Sequence, residues 1–490
     1  MTCAGRHRTS DPTAGGCATN ALRALSRRSA GTPTYNPSPP VTTIPLQDTP
    51  AQEGRLLRVL GLGFGLAVVV GGTIGVSIFR LPGSIAALMA SAPLVMAVWV
   101  VGGIYTLLAA NYTAELATML PKAGGPYVYA RRAFGDYAGF VVGWTGWLGD
   151  TAALAFMPIA FGEFATALFA PAFSGSVTVF ALLILLSLTA LNWIGIRQGS
   201  GTQQLISIVK ALALVGFVAL CFTVPRADTT PQSSQSIGRA AAGAGSLAVA
   251  FLMSFQLVIG AYGGWNAVIY FAEEDKDPGH NIPRSLHGGV LLVIVIYVLV
   301  NLALLHVLPL PQLAASQLPA ASAMNLIFGA NGGRIVTALA LVSTVGVVNA
   351  AVMFVPRTLY GLGRDGLFTT RALAVNRGGT PVVALAMGTA ASMILIILGT
   401  FETLMGIYAF FAIANNIVLI CSLFVLRRRE PDLPRPFRAF GYPVVPFLLL
   451  LISVAFFVGY IASATTSSLY ALAVLASSYP MYRALKGHRA

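Results

Sequence analysis

Charged residues are scarce in this chain. They make up 9% of its 490 residues, while 56% are apolar. A soluble globular protein carries about 25% charged residues. This deficit argues against an ordinary soluble enzyme and favours a protein whose main solvent is lipid.

Cysteine and histidine are also sparse. The four cysteines are Cys3, Cys17, Cys221 and Cys421, and the five histidines are His7, His280, His287, His306 and His488. No cysteine pair has the CxxC spacing of a zinc site or suggests a disulfide framework. We therefore predict no metal or other cofactor. The scattered histidines also argue against an enzyme embedded in the membrane, which needs a convergent catalytic cluster.

The apolar residues form long continuous runs. A spanning helix needs about 20 such residues, whereas a barrel strand shows about 10 that alternate with polar ones. The runs therefore predict an all-α integral membrane protein with twelve spans. These lie at about 59–88, 92–118, 138–168, 176–196, 201–224, 244–271, 286–307, 334–361, 381–400, 402–427, 443–463 and 467–483.

The basic residues are distributed unevenly. The net charge of +14 could suggest a nucleic-acid partner, but threading the twelve spans places 25 of the 30 Lys and Arg on one side. The others are Arg80, Arg226, Arg239 and Arg334 on the opposite side and Lys210 inside a span. This asymmetry predicts cytoplasmic N- and C-termini in a plasma membrane. The lipid bilayer is the predicted partner, and nucleic acid is not.

Two segments outside the spans differ in composition from the rest. Residues 1–54 are rich in Arg, Ser, Thr, Pro and Gly without apolar periodicity, which predicts a disordered cytoplasmic tail. The longest outer loop is predicted at about 225–243. The transporter domain is then 55–485.

Glycine clusters interrupt the first and sixth spans. The first contains Gly71, Gly72 and Gly75, and the sixth contains Gly260, Gly263 and Gly264. Glycine costs about 1 kcal/mol in a helix interior relative to alanine, so such clusters need a reason. Close helix packing is one reason and an unwound helix is another. Adjacent glycine pairs favour unwinding over packing.

The two interruptions stand five spans apart. Corresponding broken helices are the sequence pointer to an inverted-repeat transporter. The repeats would cover about 55–225 and 244–427, followed by two additional helices at about 443–483. This interpretation requires interrupted helices near 71–77 and 260–264, with a cavity between them.

Several motifs occur in a fixed order along the chain. They are Val-Gly-Gly-Thr-Ile-Gly-Val-Ser-Ile-Phe-Arg-Leu-Pro-Gly (70–83), Pro-Lys-Ala-Gly-Gly-Pro-Tyr-Val-Tyr (121–129), Ala-Tyr-Gly-Gly-Trp-Asn-Ala-Val-Ile-Tyr-Phe-Ala-Glu-Glu (261–274), Arg-Asp-Gly (364–366) and Pro-Asp-Leu-Pro-Arg-Pro-Phe (431–437). With these motifs the chain resembles the amino acid–polyamine–organocation superfamily. In wording it is most similar to the L-type amino acid transporters and their bacterial relatives, over about 50–485.

The resemblance implies a five-plus-five inverted repeat with an amino acid bound at mid-membrane between spans 1 and 6. The substrate carboxylate would meet backbone N–H groups of Gly75, Val76 and Ser77, where a helix N-terminus favours an anion. The substrate ammonium would meet carbonyls near Thr73, Ile74, Gly260, Ala261 and Gly263. Trp265 and Asn266 would line the side-chain pocket, with a packing aromatic as the alternative for Trp265.

Two positions depart from the family pattern. Relatives usually place a hydroxyl residue where this chain has Val76, so a side-chain bond to the carboxylate is not expected there. Many L-type relatives carry a bulky aromatic where this chain has Gly260. The missing ring implies a roomier or differently gated site.

Lys210 lies inside span 5. A charge at that depth costs about 2.5–3.5 kcal/mol, so such residues are functional candidates. The chain has 26 Arg and four Lys, and only lysine can lose its proton when desolvated. The hypothesis is that Lys210 couples transport to a proton gradient. The alternatives are a fixed structural cation bonded to span 1 carbonyls, and sodium coupling as in other relatives.

Asp150 lies at a similar depth in span 3. It could pair with Lys210, bind a proton or meet a cationic substrate. It could also be a neutral or water-facing group without function. Asp150 and Glu163 together motivate a polyamine or cationic amino acid carrier as an alternative.

Further alternatives remain at the level of function. They are an amino acid exchanger, a channel and a solute-sensing receptor built on a transporter fold. The heteromeric L-type relatives use a cysteine between spans 3 and 4, and the loop 169–175 has none here. A disulfide-linked heavy subunit is therefore not expected.

Overall fold

The fold is described from a computed structural model that defines residues 55–89, 91–169, 175–226, 247–463 and 465–487. Helices and loops make up these ranges, together with two isolated β-bridges, Leu60 with Asp275 and Val375 with Pro381. The predicted all-α class is confirmed. The tail predicted over 1–54 and most of the outer loop predicted over 225–243 lie outside the described residues.

The described ranges contain sixteen α-helices. The first eight are α1 Leu62–Thr73, α2 Ser77–Met89, α3 Ala92–Met119, α4 Pro126–Phe134, α5 Asp136–Phe169, α6 Ser176–Ile194, α7 Ile196–Phe222 and α8 Leu247–Ala261. A 3-10 helix, Trp265–Phe271, follows α8. Proline stands in the first turn of α3 and α4, where its missing N–H is no loss.

The second half of the chain supplies the other eight. They are α9 Pro278–Val307, α10 Leu310–Ala315, α11 Pro319–Phe328, α12 Gly332–Arg364, α13 Val382–Leu398, α14 Phe401–Arg429, α15 Val444–Ser463 and α16 Thr465–Gly487. Short 3-10 helices, Gly329–Asn331 and Thr370–Leu373, lie between them. Each of the twelve predicted spans coincides with at least one helix.

The number of helices that could cross a membrane is smaller than twelve. In the described ranges nine are long and apolar enough, and the bent pair α1–α2 would make a tenth. The apolar α13 has only 17 residues, and α16 is not among the nine. The chain is thus a multi-pass membrane protein, and its twelve-span topology remains a prediction.

Burial separates central helices from peripheral ones. In the most apolar stretch of each helix, 72% of residues are buried for Pro319–Arg364 and 56% for α5, but only 17% for α15. Large apolar side chains such as Leu205 and Leu398 are exposed on the outside. This inside-out pattern suits a bundle surrounded by lipid, with α5 and α12 near its centre.

A buried ion pair holds the predicted cytoplasmic end of the bundle. Arg357 of α12 donates through Nε and Nη2 to the Glu274 carboxylate at 2.5 and 2.8 Å, and both side chains are almost fully buried. The backbone of Leu60 accepts from Lys276 N–H and donates to the Glu274 carbonyl, both at 3.0 Å. The segment before α1 is therefore fixed against the end of the sixth predicted span.

Glu115 of α3 joins a second set of elements at the same end. Its buried carboxylate accepts from Arg427 at 2.5 and 2.8 Å and from the Ala439 N–H at 2.7 Å, and it lies 3.3 Å from Arg435. These bonds attach the loop between α14 and α15 to α3.

We expect Glu115→Gln to lower the free energy of unfolding by about 3–5 kcal/mol, because two arginines would lose a buried partner. Thermal unfolding of the purified, detergent-solubilised protein measures this effect. Glu163→Gln is the control, because Glu163 and Arg80 are 3.8 Å apart and largely exposed, which is worth about 1 kcal/mol or less. Equal stability of the two variants would contradict a supporting role for Glu115.

Candidate functional site

The first predicted span is interrupted as expected. The helix α1 ends at Thr73, Ile74 is extended with ψ of 96°, and α2 begins at Ser77. The two helices are bent by 46°. Among the described residues, the N–H groups of Gly75 and Val76 have no hydrogen-bond partner. They extend the set of free donors at the start of α2, where positive dipole gathers.

The sixth predicted span is interrupted more gently. The helix α8 ends at Ala261, a turn covers residues 262–264, and the chain continues as the 3-10 helix. Gly264 has a φ of +95°, a conformation that only glycine adopts without strain. The Gly263 N–H donates to the Gly260 carbonyl at 3.0 Å. This break changes the type of helix rather than bending it sharply.

The two breaks touch each other. A Cβ atom on Gly72 would lie 3.3 Å from the Gly264 carbonyl oxygen, and one on Gly264 would clash with the Gly72 carbonyl oxygen. Tyr297 of α9 lies against both, since its hydroxyl is 3.1 Å from the Thr73 carbonyl and 3.0 Å from that of Ala261. The sequence interpretation missed Tyr297, because one tyrosine in an apolar span carries no distinguishing signal.

The predicted substrate residues lie together around this contact. Thr73, Ile74 and Ala261 are buried, Gly75, Val76, Ser77, Gly263, Trp265 and Asn266 are partly exposed, and Gly260 is exposed. A Cβ on Gly260 would meet no atom within 4 Å. Free N–H donors and helix-end carbonyls therefore lie close to each other, an arrangement that suits a dipolar solute, and the space without neighbouring atoms is at Gly260.

Four of the five carbonyls predicted for the ammonium group already accept a hydrogen bond, and that of Ala261 shares the Tyr297 hydroxyl with Thr73. Thr73 accepts from Tyr297, Ile74 accepts from Lys210 and Gly260 accepts from Gly263. A carbonyl oxygen has two lone pairs. A second acceptor position therefore remains on each of them.

Lys210 of α7 lies against the first break. Its Nζ donates to the Gly71 carbonyl at 2.5 Å and to the Ile74 carbonyl at 2.8 Å, and the side chain is fully buried. Gly71 lies in the last turn of α1 and Ile74 follows its end, so neither carbonyl has an intrahelical partner. This is the contact with span 1 carbonyls that the alternative of a fixed structural cation requires, and the proton-coupling role of Lys210 stays a prediction.

Lys210 is the end of a polar stripe on α7. Ser207 and Gln203, one and two turns earlier, donate to the Ala67 carbonyl at 2.8 and 3.4 Å. Asn349 of α12 donates to Gln203 at 2.8 Å. Gly71 lies under this stripe, since a Cβ there would clash with both Gln203 and Ser207. Packing therefore explains Gly71, and sequence reasoning missed the other three residues.

Asp150 of α5 is separate from Lys210. Its Oδ2 accepts from the Tyr270 hydroxyl at 3.0 Å. Within the described part of the chain no ion pair joins it to Lys210. The partner on Asp150 therefore belongs to the 3-10 helix that follows the second break.

Two cavities lie near these elements. One of about 280 Å³ is lined by Arg80, Gln317 and Leu318 at the predicted outer end. A narrower one lies between α4, α5, α12, α14 and Tyr270. Neither cavity is lined by residues 71–77 or 260–264. Neither of them is therefore the cavity that the sequence predicts between the two breaks.

Comparison with known proteins identifies the family of this chain. The chain is 28% identical over 447 residues to the serine/threonine exchanger SteT of Bacillus subtilis (strain 168), covering 90% of this chain and 99% of the relative. It is 30% identical to the mouse b(0,+)-type amino acid transporter 1, covering 83% of each chain. It is 29% identical to the mouse large neutral amino acids transporter small subunit 2, covering 80% and 75% respectively.

A family model described as amino acid permease matches residues 60–479. The matched residues include both interrupted spans, the polar stripe that ends at Lys210, and Asp150. The relatives named above are transporters and exchangers of amino acids. The predicted resemblance is confirmed. This chain belongs to the amino acid permease family.

Proposed function

We propose that this protein is a secondary active transporter that moves amino acids across the plasma membrane by alternating access. The observation that supports this proposal most directly is the contact between the two interrupted helices. There Gly72 lies against Gly264, and the Tyr297 hydroxyl donates to the carbonyls of Thr73 and Ala261. The family membership supports this proposal. We also propose the twelve-span, five-plus-five inverted repeat, in which the interrupted helices occupy corresponding positions.

The chemistry of the interrupted helices supports a zwitterionic solute. The N–H groups of Gly75, Val76 and Ser77 stand at the start of α2 and suit a carboxylate. Carbonyls of Thr73 and Gly260 at the ends of α1 and α8 suit an ammonium group. The open space above Gly260 would accept the solute side chain.

We propose proton-coupled symport as the energy source, with Lys210 as the coupling group. Its amine holds two carbonyls of the first break, so a change in its protonation would alter the bonds of the segment that contacts solute. A lysine can lose its proton in a dry environment, whereas an arginine keeps it.

Exchange is the second candidate. The observation that favours it is the name of a relative covered over 99% of its length, a serine/threonine exchanger. Counterflow in proteoliposomes separates the two mechanisms. An exchanger accelerates uptake only when solute is present inside, whereas a symporter accumulates solute in empty vesicles under a proton gradient.

We also propose an orientation in the membrane and the absence of a covalently bound partner. Both termini would face the cytoplasm, as the basic residues predict. The protein would act as a carrier rather than an enzyme. It would work without a disulfide-linked heavy subunit, because residues 169–175 contain no cysteine.

The test of the function is a thermal-shift screen of the purified protein against the twenty amino acids and common polyamines. A ligand that binds only the folded state raises the apparent stability, by about 2.7 kcal/mol at a concentration of 100 times its Kd. We expect a subset of amino acids to raise the unfolding temperature and to be taken up by proteoliposomes. Stabilisation by diamines alone would contradict the zwitterion site, since a diamine has no carboxylate.

A further inference from the structure

The larger of the two cavities lies at the predicted outer end of the bundle, away from the interrupted helices. Its volume is about 280 Å³, and its wall is formed by Arg80 of α2 together with Gln317 and Leu318. Pockets for drug-sized ligands have volumes of about 300–1,000 Å³. This cavity is close to the lower end of that range, which suits a small solute.

The Arg80 guanidinium on the cavity wall has no hydrogen bond within the described part of the chain. The Phe164 ring covers one of its faces, with 5.1 Å between the guanidinium carbon and the ring centre. Its Nη2 is 3.8 Å from the Glu163 carboxylate, which is too long for a hydrogen bond. An arginine has five N–H donors in a planar fork. Those of Arg80 are therefore available to a ligand.

Gln317 is brought to the cavity by close packing of its loop on α2. This loop, residues 316–318, joins the short helices α10 and α11. A Cβ on Gly83 would lie 2.3 Å from the Ser316 carbonyl oxygen, so the loop passes directly over α2. The Ser316 and Ser322 hydroxyls are 2.8 Å apart, which attaches the loop to α11. The exposed Gln317 amide has no hydrogen-bond partner among the described residues.

The charges around the cavity favour a carboxylate that carries a positive group nearby. A guanidinium binds a carboxylate through two parallel N–H···O bonds, and the Gln317 amide has two further N–H donors. Glu163 does not line the cavity, but its negative charge beside Arg80 repels a simple anion and attracts an ammonium group. An amino acid has both groups, one carbon apart.

The position of Arg80 relates this cavity to the first break. Arg80 follows Ser77 by three residues, which is about 4.5 Å along α2 at about 1.5 Å per residue. Resting on the function proposed above, we propose that the outer cavity is an entry site, where Arg80 and Gln317 bind the carboxylate of an arriving amino acid. The backbone N–H groups at the start of α2 then receive the same carboxylate less than one helical turn further in.

The test is the rate at which phenylglyoxal modifies Arg80 in the purified full chain, measured for that residue by mass spectrometry. Glycine, acetate and glycinamide are the probes, because glycinamide keeps the ammonium group and lacks the carboxylate. With a Kd on the order of 1 mM, about 10 mM glycine would slow the modification about tenfold. We expect acetate to protect several-fold less than glycine, because of Glu163, and glycinamide to give no protection.

Arg334 is the internal control, since it is exposed at the same predicted end and does not line the cavity. Its modification should be unaffected by all three probes. Gln317→Leu is expected to weaken the protection of Arg80 by glycine several-fold. Its matched control is Gln312→Leu, at an exposed glutamine of α10 outside the cavity wall. Glu163→Gln should let acetate protect as well as glycine.

Four outcomes would overturn the entry site. Arg80 could fail to react without solute, glycine could leave its modification unchanged, glycinamide or inorganic phosphate could protect it better than glycine, or Gln317→Leu could keep the full protection. Uptake of amino acids by proteoliposomes would leave the proposed transport function intact in each case. Protection of Arg80 without uptake of any amino acid would instead contradict that function and not the binding site.

Discussion

Replacing Lys210 with alanine should abolish concentrative uptake while leaving passive equilibration. The change removes the donor to two carbonyls at the first break, that of Gly71 in the last turn of α1 and that of Ile74 just after it. It also removes the only buried amine described in this region. A gradient of one pH unit is worth about 1.4 kcal/mol and would drive about tenfold accumulation for one proton per solute. We expect the ratio of inside to outside solute to fall from about 10 to about 1.

The measurement is uptake of labelled amino acid into proteoliposomes with an imposed pH gradient. Lys210→Arg is the informative control, because arginine keeps the cation and cannot release its proton. We expect it to bind solute without accumulating it. A Lys210→Ala protein that still concentrates solute would rule out proton coupling through this residue, and Lys210 would then be a structural cation.

Both Lys210 variants also need a measurement of folding. Two buried carbonyls lose a donor in Lys210→Ala, which costs about 1–3 kcal/mol for each group. Solute-dependent thermal shift checks that the variant is folded and binds. Loss of accumulation with binding retained isolates the coupling role from a structural one.

Replacing Gly264 with alanine should abolish transport by pushing the two breaks apart. Gly264 has a φ of +95°, and an added Cβ would clash with the carbonyl oxygen of Gly72. The backbone conformation alone costs a non-glycine residue about 1–3 kcal/mol. The clash adds to this cost, because the position of a Cβ is fixed by its own backbone and its partner is a backbone oxygen. We expect uptake to fall by about 100-fold or more, the equivalent of about 2.8 kcal/mol.

Gly216→Ala is the matched control, at an exposed glycine within α7 and outside the site. A Cβ there would meet no atom within 4 Å, so we expect normal expression, normal unfolding temperature and uptake of small amino acids within about twofold of wild type. Uptake and size-exclusion profiles of the two variants are compared side by side. Normal uptake by Gly264→Ala would show that the contact between the interrupted helices is not required.

The glycines of the first break also show how far glycine patterns can be interpreted from sequence. The cluster at 71–75 predicted an unwound helix, and α1 does end at Thr73. Gly71 itself, however, lies within α1 and is required by Gln203 and Ser207 of α7. A glycine count identifies a weak point in a helix, but it does not say which glycine serves the break and which serves the packing.

The positions of the helices could be predicted because lipid leaves few options. Backbone groups in hydrocarbon must bond within their own segment, so long apolar runs form helices wherever they occur. Each predicted span therefore contains a helix, and the two glycine clusters lie at real interruptions. The number of spans and the inverted repeat depend on marginal helices such as α13 and α16. Composition alone does not decide whether these helices cross the membrane.

The amino-acid sequence by itself determined that the protein lies in lipid, where its helices are and where two of them are interrupted. Each of these features follows from neighbouring residues along the chain. The tertiary structure decided which groups meet there. Tyr297 reaches Thr73 across 224 residues, Lys210 reaches Gly71 across 139, and Tyr270 reaches Asp150 across 120. Periodicity describes one helix at a time, whereas these contacts depend on how separate helices pack. For that reason Lys210 and Asp150 could be selected from sequence as unusual charges, but only the fold gave them different partners.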